Sequence, residues 1–565
     1  MSNLMNENVT VEKKDSTELD CELLMQMLRG GMENLSEHME EINDLNVFPI
    51  PDGDTGSNML MTLRGGEGVA PEPGEDVGTW ARRVADSILL AARGNSGVIL
   101  SQFADGIAAG LEGVHTVDVE AAARAFQCGV EHAYAAVVEP VEGTILTVMR
   151  EAAEYAAGQP HDNLEEYLEN YLLSARQALA NTPEQLEVLK KAGVVDSGGA
   201  GLIRIMEGAE AVLTGEAPVS TEHETEVSTG LNSGMKQLNL DLFTEDSVLE
   251  FGYCTELLLR LQRAKTDLST FNVKVIRDYL SSIGDSIVCF QTGSIVKIHV
   301  HTKTPYQVLE FCQRYGEYLT VKIENMTLQH NNITPEKRHD EPEEKKLFGV
   351  VAVASGEGIK EAFRENGADV IVEGGQSMNP STEDFIEAFR RVNADTIFVL
   401  PNNGNVILSA KQAASMYDKA DVRVIESHTI GDGLAVLSML DTDAKDVDLV
   451  EEDMKFSMEG VVTGCVARCS RNTESDGLVL REGQYIGFIG KTIVSADNDR
   501  RDTALMLASR LDFTDHEICI LIFGKGVERA EAEEVANAVR KQHSGTEVYL
   551  IDGGQEIYDY IFVVE

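Results

Sequence analysis

Two carboxylates two residues apart, Asp52 and Asp54, sit in the bend Asn46-Val-Phe-Pro-Ile-Pro-Asp52-Gly-Asp54-Thr-Gly-Ser57-Asn58-Met, directly ahead of a helical pattern. Hard oxygen ligands on a tight Pro/Gly turn suit Mg²⁺, and the N–H groups of a helix start suit phosphate. Three later segments are built alike: Arg93-Gly-Asn-Ser-Gly97, Glu142-Gly-Thr144 and Val195-Asp196-Ser-Gly-Gly-Ala-Gly201. Each is a short turn of small residues opening onto an apolar helix, and together they outline a Mg·nucleotide site. Singly, each has a plain structural reading. A DGD turn forms for local hydrogen bonding alone, GNSG serves as a helix N-cap, and VDSGGAGL connects two helices.

A second constellation is Lys297-Ile-His299-Val-His301, in a strand pattern. Residues two apart share a sheet face, so both imidazoles could grip one metal, with Cys254 of Phe-Gly-Tyr-Cys-Thr-Glu-Leu as a thiolate third ligand. Three N/S ligands with one open position suit Zn²⁺. The plain alternative is two half-buried histidines beside an ordinary buried cysteine, and no CxxC accompanies them. Two glycine patterns carry nothing: Gly487-Phe-Ile-Gly490-Lys491-Thr492 has Tyr485 where a Walker A needs glycine, and Gly356-Glu-Gly358 is too short for a dinucleotide fingerprint.

The elements that must position these residues fall into distinct blocks. In a first block at 1–216 the pattern is helical throughout from about residue 20 to 215, with apolar positions at helical spacing in stretches such as ARRVADSILLAARG and TILTVMREAAEYAA. This reads as an all-α domain whose loops meet at one end. The polar, aperiodic stretch at 217–240 is a linker. Residues 241–330 read βαββαβ, a small ferredoxin-like α+β domain. A charged, Pro-broken linker follows at 331–346. From 347 to 565, short apolar runs alternate with helices, which predicts α/β layers with mostly parallel strands in two lobes divided near 445–455. The loops Asn379-Pro380-Ser381-Thr382 and Asn402-Asn403-Gly404-Asn405 read mainly as caps and turns, and secondarily as polar clusters able to meet a carboxylate or a partner.

Composition narrows the function. The 565 residues are enough for three or four domains, and the formal net charge is −48. Such a surface repels nucleic acid and anionic membrane, and repels ATP unless a metal neutralises its phosphates. No apolar stretch is long enough to span a bilayer, so no integral membrane segment is expected, and the polar start does not read as a signal peptide. Eight scattered cysteines suit reduced thiols in a cytoplasmic protein.

The motifs NVFPIPDGDTGSNM, ARGNSGVILSQ, EGTIL and VVDSGGAGL, in that order over roughly residues 20–215, resemble the nucleotide-binding DhaL-like (DAK2) domain of dihydroxyacetone kinases and of the kinase subunit of bacterial fatty acid kinase. GYCTE and KIHVHT resemble that kinase subunit's middle domain, and VAVASGEGIKEAF…GADVIVEGGQSMNPST resembles its DegV-like C-terminal region. The resemblance implies a multidomain fold: an all-α helical barrel, a ferredoxin-like α+β middle domain and a two-lobed α/β region. It implies that Asp52 and Asp54 hold Mg²⁺, with Asn46 at the third ligand position, an amide where dihydroxyacetone kinases carry an aspartate. Ser57, Asn58, Asn95, Ser96 and Gly97 would meet ATP phosphates, and Thr144, Asp196, Gly198 and Gly199 would line the nucleotide pocket. Cys254, His299 and His301 would take part in activity and in metal binding.

Function follows as an expectation: an ATP-dependent kinase acting on the carboxylate of a fatty acid presented by a separate DegV-like fatty-acid-binding protein, giving acyl-phosphate for phospholipid synthesis. A homodimer is implied by the same analogy. An ionised carboxylate needs no strong base to attack a phosphoryl group, which fits a site of metal and dipoles. Two alternatives stand beside it: a glycerone-type kinase, and a non-enzymatic nucleotide or lipid-binding regulator.

Overall fold

The computed structural model describes residues 18–216, 253–325 and 345–565, apart from 47, 49, 51–52, 267–270, 281, 293–294, 376–377, 443, 515, 517 and 544. It divides into two compact units, one made of Met1–Glu222 with Glu344–Glu565 and the other of His223–Glu343. Most residues of the two expected linkers fall at 217–252 and 326–344, outside the described residues.

The N-terminal part of the first unit is helical, as its periodicity predicts. Its helices are α1 (Cys21–Glu37), α2 (Met39–Asn43), α3 (Thr55–Arg64), α4 (Val77–Ala91), α5 (Gly94–Gly110), α6 (Val119–Ala135), α7 (Ile145–Ala157), α8 (Leu164–Gln185), α9 (Glu187–Ala192) and α10 (Ser197–Leu213). Local chemistry sets several starts: Asp20, Asp76, Asp118 and Asn163 each accept a first-turn backbone N–H. Their apolar faces meet in one core that includes Leu35, Met59, Val148, Met149, Leu172 and Leu202. α1 and α10 approach through glycine, since a Cβ on Gly208 would lie 2.2 Å from the Gly30 carbonyl oxygen.

The second unit reads β1 (Tyr253–Leu261), α11 (Lys274–Leu280), β2 (Gly284–Thr292), β3 (Ile295–Thr302), α12 (Pro305–Cys312), β4 (Gly316–Asn325). Its four strands pair antiparallel in the order β2-β3-β1-β4, the ferredoxin-like arrangement expected from βαββαβ. Leu257, Leu259, Ile298 and Val300 pack with Ile276, Leu280, Val308 and Cys312 to form its core.

The C-terminal part of the first unit holds two sheets. The strands β5 (Lys346–Ala354), β6 (Val370–Glu373), β7 (Ala394–Leu400) and β8 (Asp421–Val424) form an all-parallel sheet in the order β6-β5-β7-β8. The second sheet departs from the expected parallel layering. Its strands β9 (Val462–Arg468), β12 (Tyr485–Ile489), β13 (Thr492–Asp497), β14 (Ile518–Phe523), β15 (Glu547–Asp552) and β16 (Tyr558–Val564) run in the order β13-β12-β9-β16-β14-β15, and only β14–β15 is parallel. The reason is connection length. Gly490, at φ +58°, and Lys491 join β12 to β13 with no room for a crossover helix, so that pair closes as a hairpin. A separate hairpin pairs β10 (Thr473–Ser475) with β11 (Leu478–Leu480). The expected lobe division near 445–455 falls within the helix Val447–Ser457, and one core joins both sheets through Val350, Ala352, Ile486, Phe488, Ile522 and Ile561.

Candidate functional site: converging helix starts

Four helix N-termini gather at one end of the helical region. Ser197, opening α10, donates its Oγ to Thr55 Oγ1 at 3.1 Å, tying that helix to the start of α3. Asp196 Oδ2 accepts from Gly199 N at 2.7 Å, and the carboxylate also receives the backbone N–H of Ile145, which opens α7. At the start of α5, a Cβ on Gly94 would lie 2.6 Å from the Nδ2 of Asn58, the fourth residue of α3. The partially positive N-terminal ends of the four helices are therefore linked as neighbours, and a helix N-terminus favours anions.

Each expected residue has a definite local role. Asp196 caps α10, and burial pushes its carboxyl up to about 6 against the lowering effect of its backbone donors. Gly198 and Gly199 are packed: a Cβ would lie 3.2 Å from Ile145 Cβ at the first and 2.9 Å from Val148 Cγ2 at the second. Thr144 caps α7, accepting from Leu146 N at 3.4 Å and donating to Val141 O at 2.8 Å. Beside it, Glu142 accepts from Thr147 Oγ1 at 2.6 Å, Tyr134 OH at 3.0 Å and Arg150 at 3.0 Å, which fixes the turn.

The start of α3 differs from the sequence expectation of uncapped N–H groups. Asn43 Oδ1, at the end of α2, accepts from Gly56 N at 2.8 Å and Ser57 N at 3.3 Å, while its Nδ2 donates to Ser57 Oγ at 3.1 Å. Asn43 escaped sequence reasoning because a cap is sought next to its helix, and this one comes from about twelve residues upstream of Thr55. Asn46 lies in the turn after α2, its N–H on the Asn43 carbonyl at 3.2 Å. Asp52 lies outside the described residues. By contrast, Arg93 gives α5 no side-chain cap, and the first turn of that helix runs through Asn95 and the half-buried Ser96.

Asp54 immediately precedes α3. Its carboxylate accepts from Asn379 Nδ2 at 2.6 Å and from the Asn58 side chain, and burial raises its pKa to about 6. No Lys or Arg among the described residues forms an ion pair with it. A buried carboxylate held by amides but lacking a cation is costly, and a small divalent cation would relieve that cost. The hard oxygen chemistry of Asp54 fits Mg²⁺, although among the described residues no three His, Cys, Asp or Glu side chains gather as a metal cluster.

Asn379 brings the C-terminal region into the site, and it comes from a loop that sequence reading flagged mainly for capping. Ser381 does cap the helix Thr382–Arg391, in a capping box with Asp384. The segment before it pairs with the helical region: Arg93 Nη1 donates to the Asn379 carbonyl at 3.1 Å, Thr382 N donates to Ala92 O at 3.1 Å, and Arg93 and Ser381 form an antiparallel bridge. Gln412 Nε2 donates to Leu89 O at 2.8 Å, and Asn95 Nδ2 donates to Asn405 Oδ1 at 3.4 Å. Gly94, at φ +59°, admits this approach, because a Cβ there would lie 2.6 Å from Asn58 Nδ2 and 3.1 Å from Asn379 Nδ2. The bend before Asp54 is also anchored: Ile50 is 4 % exposed in the C-terminal core, and Arg471 Nη1 donates to Asp44 O at 3.2 Å.

In the second unit, register pairs Cys254 with His301 and Glu256 with His299 on adjacent strands β1 and β3. The three positions of the expected Cys/His set are thus neighbours in the sheet, and their side chains lie outside the described residues. A hollow of about 220 Å³, lined by Val436, Leu440 and Met454 together with Asp441, Lys445 and Asp453 among others, includes no residue of the helix-start cluster.

Comparison with known proteins agrees with this organisation. Residues 49–211 match the DAK2 domain model. Residues 250–333 match the FakA-like middle domain and residues 349–565 the FakA-like C-terminal domain, both described for fatty acid kinase. Protein YloV of Bacillus subtilis (strain 168) is 37% identical over 566 residues, covering 97% of this chain and 99% of that protein. An uncharacterized protein of Staphylococcus aureus (strain USA300) is 36% identical over 558 residues, covering 97% of this chain and 100% of its own length. Among solved structures, DegV of Bacillus subtilis, a fatty acid binding protein, gives a TM-score of 0.31 at 13% identity, over 39% of this chain and 99% of that one. The linoleic acid-loaded Fatty Acid Kinase (Fak) B3 protein of Streptococcus pneumoniae gives 0.27 at 13% identity, over 33% and 76%. These two structural likenesses are too slight to bear on function. With three domain models matched in series and relatives aligned end to end, the chain belongs to the FakA-like fatty acid kinase family of DAK2-domain proteins.

Proposed function

We propose that this chain is an ATP-dependent kinase that phosphorylates the carboxylate of a fatty acid presented by a separate DegV-like fatty-acid-binding protein. The observation that carries the reading is the run of contacts that links the starts of α3, α5, α7 and α10, with Asp54 at the start of α3 a buried carboxylate that has no ion-pair partner among the described residues. Family membership supports the same direction.

In this reading Asp54, with Asp52 and Asn46, holds Mg²⁺, which when bound offsets phosphate charge near a strongly anionic protein. The α5 start, from Gly94 to Gly97, directs its first-turn N–H groups at the phosphates, and Asn58 and Ser57 border the same space. Thr144 and Asp196 hold the α7 and α10 starts in place beside the nucleotide. An oxygen of the fatty acid carboxylate attacks the γ-phosphorus, the bond from that phosphorus to the bridging oxygen of ADP breaks, and ADP leaves with the electron pair. The product is an acyl-phosphate, and no proton need move because the carboxylate is already ionised. The Cys254, His299 and His301 set binds Zn²⁺ in the second unit, and the chain acts as a cytoplasmic homodimer.

The test is ATP consumption by the full chain with Mg²⁺, a DegV-like protein and a fatty acid, omitting each in turn. Turnover that requires all of them supports the proposal. Turnover with a keto-triose instead makes the chain a glycerone-type kinase, and nucleotide binding without turnover makes it a regulator.

A further inference from the structure

Asn379 is 1% exposed, and its two amide ends have unequal surroundings. Nδ2 donates to Asp54 Oδ2 at 2.6 Å, whereas Oδ1 is buried with no hydrogen-bond partner among the described residues. The opposite amide orientation would press two oxygens together at that distance, so the donor must face the carboxylate. Its backbone is held as well, by Arg93 Nη1 on the Asn379 carbonyl at 3.1 Å and by the Ser381–Arg93 bridge two residues later. The amide is therefore a rigid donor delivered to the start of α3 from 325 residues away.

We propose, resting on the kinase reading above, that Asn379 is a positioning residue for Asp54, and that the C-terminal region is thereby a structural part of the phosphoryl-transfer site. Holding one carboxylate oxygen fixes the direction of the other. Mg²⁺ tolerates little departure from its preferred geometry, so it gains most from a ligand whose orientation is set in advance. The unpartnered Oδ1 remains an acceptor within the same cluster. The docking of the C-terminal region on the helical region then governs whether Asp54 is correctly aimed.

The experiment measures Mn²⁺ binding by electron paramagnetic resonance in the full chain, with and without a non-hydrolysable ATP analogue. Loss of an outer-sphere partner costs about ten- to a hundredfold in metal affinity, and that loss is expected for Asn379→Ala, with metal-free nucleotide binding little changed. Asn379→Gln, which keeps the donor, should retain more affinity than Asn379→Ala. Asp118→Ala removes only the cap of α6, so it should lower the melting midpoint and leave Mn²⁺ binding intact. Unchanged Mn²⁺ affinity in Asn379→Ala, or an equal loss in Asp118→Ala, overturns the proposal. Should the unsubstituted chain bind no Mn²⁺, the kinase reading falls, and the Asn379–Asp54 pairing is judged by a double-mutant cycle of Asp54→Ala and Asn379→Ala on thermal unfolding. Non-additive midpoint shifts uphold the pairing and additive shifts overturn it.

Discussion

Phe48 meets Phe488 edge to face, with ring centroids 5.0 Å apart and planes at 77°. One ring belongs to the bend that leads into Asp54 and the other to β12 of the C-terminal region. Phe48→Ala should cost about 1–3 kcal/mol for a half-buried aromatic. Urea unfolding measures the loss, and Mg²⁺-dependent nucleotide affinity should fall with it because the bend loses its anchor. A destabilised variant with wild-type affinity would show that the bend holds its shape without this contact.

Asp54→Ala should abolish Mg²⁺-dependent ATP binding and turnover. Its effect on unfolding in metal-free buffer should be modest, because removing a buried carboxylate with no cation beside it is set against leaving the Asn379 and Asn58 amide donors unpaired. Calorimetric titration of ATP with and without Mg²⁺ checks the first part, and thermal unfolding in chelator checks the second.

Asp196 carries a pH signature of its own. Its carboxyl titrates near 6 in the folded chain and about 3.9 when unfolded, so between these values the folded form binds more protons. Stability should therefore fall as pH rises from about 4 to about 6, by up to about 3 kcal/mol from this group. Asp196→Asn, which keeps a capping oxygen, should flatten that part of the profile. An unchanged slope in the variant would mean that Asp196 ionises normally.

Gly94→Ala places a side chain at φ +59° and against Asn58 and Asn379. The left-handed backbone alone costs about 1–2 kcal/mol, and the clash should add to it. A lower melting midpoint with weakened nucleotide binding is expected. Substituting the exposed Gly74, at φ +82° with open space around it, should show the backbone cost alone and leave nucleotide binding intact.

For the second unit, metal analysis of purified protein should find one zinc per chain, lost in Cys254→Ala and in His299→Ala. Zinc content unaffected by either change would reduce the register neighbours Cys254 and His301 to ordinary strand residues.

Helix starts were legible because their chemistry is local. Asp196, Thr144 and Gly94 announce turns and caps by residue type, and the βαββαβ order of the second unit follows from its strand and helix periods. The mostly parallel expectation failed for the second C-terminal sheet, where β16 inserts antiparallel between β9 and β14. Strand period carries no information about partner or direction, and the short apolar run at the chain end resembles any other buried strand.

Residue types and their order were enough to announce an acidic bend, small-residue turns opening helices, and three blocks of distinct period. Folding alone decided that Asn43 would cap α3, that Asn379 would reach Asp54, and that Phe48 and Ile50 would leave the helical region for the C-terminal core. The physical reason is that caps and turns are satisfied within a few residues. A donor for a buried carboxylate can come from any segment that packing delivers, and nothing in the local pattern around Asp54 or Asn379 encodes the other.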